Sequence, residues 1–254
     1  MTALQSLQPP LPSSAPAPSG ATGAALDTIT AHSTQRARLA ESARYALLRR
    51  LAPAIRHDMA GALQPISMVA AMLEKRLQKP DPDLLALAKN VNAINALARD
   101  ASQACMQLMT WLSPKVDEAT PIATGVAEAI ALVATDLSFK GFTLVNQTDA
   151  VDISVAVRVS VLRGLFMATL LATTDRHHGP ARVLLDAHTE GQMLVLGVTL
   201  EALEGEQGEV LAGMPAAYRS LDWDDVLALA AAESAELVQT PYRVELRCSL
   251  ETAV

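Results

Sequence analysis

Between about Thr34 and Gln78, the apolar residues Leu48, Leu51, Ile55, Met59, Ala62, Ile66, Val69 and Leu73 recur at steps of three and four. That spacing predicts a long helix with one apolar stripe. Lys79-Pro80-Asp81-Pro82 breaks it, because proline removes a backbone donor and restricts the residue before it. A second helix is predicted from Asp83 to Leu112 and stops at Ser113-Pro114. Its seam runs through Leu84, Leu87, Val91, Ile94, Ala98, Ala101, Cys105, Leu108 and Leu112, the alternation of helical bundles. Two long helices and a short turn make an antiparallel hairpin. One hairpin buries only part of these faces, so two chains are expected to pair into a four-helix bundle. Pro65 falls inside the first helix and predicts a kink.

After Pro114 the period changes. Helices are predicted over Ile122–Leu137, Val157–Thr174 and Trp223–Glu233. Strands are predicted over Phe142–Asn146, Ala181–Ala187, Met193–Leu200 and Tyr242–Leu250. Helices on one side of a mixed sheet give a two-layer α/β sandwich, so the fold class is α+β. Residues 1–33 are rich in Pro, Ser, Ala and Gly without periodicity, which predicts a disordered tail. The expected organisation is a tail over 1–33, a helical hairpin over 34–114 and an α/β domain over 115–254.

Composition narrows the class. Half of the 254 residues are apolar but only 3% are aromatic, so Ala, Leu and Val fill the core. The net charge of −7 hides a polarity: residues 1–115 carry 12 basic and 7 acidic side chains, and residues 116–254 carry 8 and 20. An acidic C-terminal half argues against nucleic acid as a partner. The basic excess precedes residue 57, at Arg36, Arg38, Arg44, Arg49, Arg50 and Arg56, a cluster able to steer an acidic partner or equally to form a solvated helix face. Cys105 and Cys248 read as separate buried thiols suited to a reducing compartment. Met1 to Gly20 lacks the pattern of a signal peptide, and no uninterrupted apolar run of about eighteen residues is evident. A cytoplasmic chain without membrane contact is the expectation. Arg176-His177-His178 lacks further ligands at metal spacing, so no metal is expected.

The candidate chemistry lies in Arg56-His57-Asp58-Met59-Ala60-Gly61-Ala62-Leu63-Gln64-Pro65-Ile66. At about 100° per residue His57 lies opposite the apolar stripe and should face solvent. This run resembles the H-box of two-component histidine kinases and phosphotransferases: a His, then an acid, with a Leu six places on and an Ile three further. The resemblance implies that His57 carries a phosphoryl group and that Asp58 orients the ring or accepts its proton. In that family an Asn or Thr four residues after the histidine supports phosphatase activity. Here the position is Gly61.

The order of elements after Pro114 also resembles the ATP-binding domain of these kinases. Val161–Phe166 is similar to the start of the helix that carries magnesium-holding asparagines, whose positions here are Ala168 and Ala172. Neither can ligate a hard cation. Gly197–Ala202 runs on without the Asp-x-Gly-x-Gly box, and Tyr218–Trp223 lacks the glycines of the final box. The expectation is therefore no ATP and no other cofactor. The whole resembles dimeric histidine phosphotransferases in which a degenerate ATPase-like domain is retained for docking. That implies transfer between receiver-domain aspartates through His57, with response-regulator receivers docking near Arg49, Arg50 and Arg56. The alternatives are a non-catalytic pseudokinase-like dimeric scaffold and a divergent ATP-dependent histidine kinase.

Overall fold

A computed structural model describes residues 20–112, 118–148, 155–203 and 219–251. Helix α1 (Gly20–Leu77) and helix α2 (Leu84–Leu112) form the hairpin, with the break where Pro80 and Pro82 demand it. Asp83 caps α2: its Oδ1 accepts from the amides of Leu85 at 3.0 Å and Ala86 at 3.1 Å, satisfying donors that the first turn leaves open. The start of α1 departs from expectation. The segment 20–33, expected as tail, is helical from Gly20, and its Ala21, Ala24, Ala25 and Leu26 are strong helix formers with no proline among them. Residues 1–19 lie outside the described residues.

The second body follows as β1 (Ala119–Pro121), α3 (Ile122–Phe139), β2 (Phe142–Asn146), β3 (Ala156–Arg158), a π-helical turn (Val161–Phe166), α4 (Met167–Asp175), β4 (Ala181–Glu190), β5 (Met193–Ala202), α5 (Trp223–Ala232), β6 (Glu236–Gln239) and β7 (Arg243–Ser249). Five strands make one mixed sheet in the order β2-β4-β5-β7-β6, with β2 parallel to β4 and the other pairs antiparallel. β1 and β3 form a separate antiparallel pair. The helix expected over Val157–Thr174 is present but starts later: Val157 and Arg158 belong to β3, and the helical course then runs through the π-helical turn into α4. Gly191, at φ +64°, makes the tight turn between β4 and β5, a conformation glycine adopts without a Cβ penalty.

Alternation along the strands sends Val183, Leu185, Leu194, Leu196, Val198, Leu246 and Cys248 into one core with α3, α4 and α5. The opposite face carries polar side chains, Arg243 bonding Asp186, Thr199 and Glu245. The architecture is mixed α+β, as expected. α3 is long and apolar enough to cross a bilayer by length and composition, although Glu128 and Asp136 interrupt its apolar run, and Ile122, Val126, Ala129, Val133 and Leu137 pack into this core.

One feature of α1 was not anticipated. Ala43, Ala46, Leu47 and Leu51 belong to the core of the α/β body, where α1 lies against α5 and α3. From Ala52 onward no residue of α1 is fully buried, and the helix continues as one arm of the hairpin. The transition coincides with Pro53, a second proline inside the helix, which leaves the Arg49 carbonyl without its helical donor. α1 thus belongs to both bodies.

Candidate functional site

His57 lies one turn beyond Pro53, with its side chain 68% exposed. Its Nδ1 sits 3.5 Å from Asp58 Oδ1, a long contact that fits a ring with its proton on Nδ1 and leaves Nε2 facing outward. Met68 and Met72, both exposed, lie about 20° and 60° from His57 around the helix, so the face that presents His57 also carries apolar surface. The sequence reading did not single them out, although the same angular arithmetic finds them. Gly61, four residues on, occupies open space: a Cβ there meets no atom within 4 Å.

The three arginines expected beside His57 have different surroundings. Arg50 is 18% exposed and its guanidinium binds within this chain, to Asp175 at 2.6 and 2.8 Å and to Asp136 at 2.9 Å. Lys140 joins Asp175 at 2.9 Å. Burial raises the Asp175 carboxyl, but the Arg50 and Lys140 charges outweigh it and hold the group below the usual carboxylate range. Arg50 therefore clamps α1 to the α/β body through ion pairs within this chain. Arg49 donates to the Arg219 carbonyl at 2.9 Å and stacks over Tyr45 at 5.4 Å. Arg56 is exposed and borders an open groove of about 500 Å³ with Leu48, Ala52, Ile55, Met59 and Ala60.

Other contacts reinforce the clamp. Arg44 reaches Glu233 at 3.5 Å, and Arg219 reaches Ser42 at 3.3 Å and the buried Asp225. Burial disfavours the Asp225 carboxylate, yet Arg219 and the Asp222 amide keep it below its ordinary range. Asp222 and Asp225 also close a reciprocal capping box at the start of α5.

The positions that resemble a nucleotide site are occupied by packing. Ala168 and Ala172, 0% and 1% exposed, lie in the continuous core with Val226, Leu229 and Ala230 of α5. Gly197 in β5 is covered by the Arg243 guanidinium, which leaves no room for a Cβ there. A small cavity of about 210 Å³ lies beyond, lined by Thr173, Arg176, His177, Trp223 and Tyr242. That is below the size usual for ligand pockets, about 300 Å³ and upward. Among the described residues no three His, Cys, Asp or Glu side chains converge as a metal site.

No protein-family model matches the chain, and no curated protein matches its sequence. Solved structures similar to it include histidine kinases. The Acinetobacter baumannii histidine kinase AdeS is 12% identical with a TM-score of 0.41, over 77% of this chain and 98% of that one. A Burkholderia phymatum histidine kinase is 15% identical at 0.39, over 81% and 99%. A bacterial phosphotransferase is 14% identical at 0.35, over 81% and 95%. At TM-scores below 0.5 these likenesses fix neither the fold nor an activity.

Proposed function

We propose that this chain is a histidine phosphotransfer protein of a two-component relay, moving a phosphoryl group between receiver-domain aspartates through His57. The observation that carries the reading is an exposed imidazole on a continuous helix with a carboxylate oxygen 3.5 Å from Nδ1. In the forward step the Nε2 lone pair attacks phosphorus and the P–O bond to the receiver aspartate breaks. That aspartate leaves as a carboxylate, while Asp58 holds the Nδ1 proton and offsets the positive charge of the ring. The reverse step onto a second receiver regenerates neutral His57. Arg56 and the exposed Met68 and Met72 offer charge and apolar contact to the docking receiver.

The hairpin supports a homodimer. On α2 the seam divides: Leu87, Ile94 and Ala101 turn toward α1, while Leu84, Val91 and Ala98 face outward with Met106 and Met109. On α1, Met59, Leu63 and Leu77 are exposed beside the inward stripe. Because the helices are antiparallel, their residue angles advance in opposite senses, and both outward stripes fall on the same side of the hairpin. His57 points away from that side, about 160° from Met59 around α1, so a bundle of two copies leaves it open.

The close packing at Ala168 and Ala172 disfavours the ATP-dependent kinase reading. A scaffold without transfer remains the rival in a different class, and one experiment separates them. A receiver carrying labelled aspartyl phosphate is mixed with wild type or His57→Ala. Acid-labile label on wild type and none on His57→Ala is expected. Persistent transfer through His57→Ala, or no transfer from any cognate receiver, sinks the reading.

A further inference from the structure

An open cleft of about 750 Å³ separates α1 from the α/β body. Its walls bring together Arg49, Arg50, Lys140, Arg176 and Arg219 from separate parts of the chain, with Asp175 the one lining carboxylate among the described residues. Behind that wall Asp136, Asp222 and Asp225 neutralise part of the charge. Arg50 and Lys140 are taken up by Asp175 and Asp136, and Arg219 by Asp225. Lys140 and Arg176 follow the last turns of α3 and α4, where a cation also answers the helix dipole. That role needs no recess. Among the described residues Arg176 has no ion-pair partner, and it opens into the cleft.

We infer that this cleft binds a small phosphate-bearing molecule, with Arg176 as its principal contact. The volume lies within the range of ligand pockets, about 300–1,000 Å³. A planar guanidinium at the mouth of such a recess matches two phosphate oxygens at once. A recess with one guanidinium free of ion pairing among the described residues suits a compact anion better than the flat surface of a protein, whose docking needs about 800 Å² per partner. The cleft also lies on the reactive side of α1. Arg50 and His57 are seven residues apart, which places them about 20° apart around the axis and about 10 Å along it. An occupant would stand beside the face from which His57 is approached. Binding is measured on unphosphorylated protein, so the inference stands or falls independently of phosphotransfer.

The test uses the full chain with inorganic phosphate, pyrophosphate and AMP, read by melting temperature and by calorimetric titration. Wild type and the control Arg182→Gln, on the outer face of the sheet, are expected to show a saturable rise in Tm with pyrophosphate or AMP that weakens as sodium chloride is added. Arg176→Gln should lose at least tenfold in affinity while keeping its Tm in the absence of ligand. No saturable response to any of the three anions overturns the inference. So does an undiminished response in Arg176→Gln.

Discussion

Gly61 sits one turn beyond His57 in a helix whose ladder is already interrupted by Pro65, four residues later. Since a Cβ at Gly61 meets nothing, Gly61→Ala should raise stability by about 1 kcal/mol, the ordinary helical difference between the two residues. A shift in the denaturant midpoint at unchanged slope checks this. Asp58 is the more informative position for chemistry. Asp58→Ala removes the carboxylate beside Nδ1 and should slow phosphoryl transfer about a hundredfold while leaving receiver affinity within about twofold. A rate that does not change would show that the 3.5 Å contact is idle. The exposure of His57 was legible in the sequence, because it lies opposite an amphipathic stripe. The role of Arg50 was not, because its partners Asp175 and Asp136 lie 125 and 86 positions away.

At the scale of elements, the join between α1 and the α/β body is where stability concentrates. Leu51→Ala opens a cavity in a fully buried position and should cost about 2–5 kcal/mol. Asp175→Asn tests the clamp through pH. The folded carboxyl lies below its ordinary value of 3.8, so its contribution is complete above that value and is lost as pH falls through the depressed one. Unfolding measured from pH 6 down to about pH 2 should therefore show a decline that is shallower in Asp175→Asn. The hairpin was readable from period and prolines alone. Residues 40–51 were not assigned to the α/β body because an apolar stripe reports that a face is buried and not what buries it. β1, β3 and β6 span only three or four residues each, too few for alternation to register. At the start of the Val157–Thr174 helix, Val157, Val159 and Val161 alternate with Arg158 and Ser160, and so short an alternation does not separate the end of a strand from the first turn of a helix.

For the whole molecule, the outward stripes of α1 and α2 predict self-association. Val91→Glu combined with Met106→Glu should yield a monomer in sedimentation at micromolar concentration with unchanged far-UV helicity, since both side chains are exposed in the single chain. A dimer that survives both changes would place the contact elsewhere. The unbroken course of α1 from the α/β core to His57 has a further consequence. It makes the helix a ruler with a fixed pitch. One alanine inserted between Leu51 and His57 would turn the imidazole by about 100° relative to the α/β body and disable any partner that must touch both. Seven inserted alanines would return it to within about 20°, displaced by about 10 Å. Transfer that fails with one added residue and partly recovers with seven would show that orientation, rather than distance alone, is what the long helix transmits.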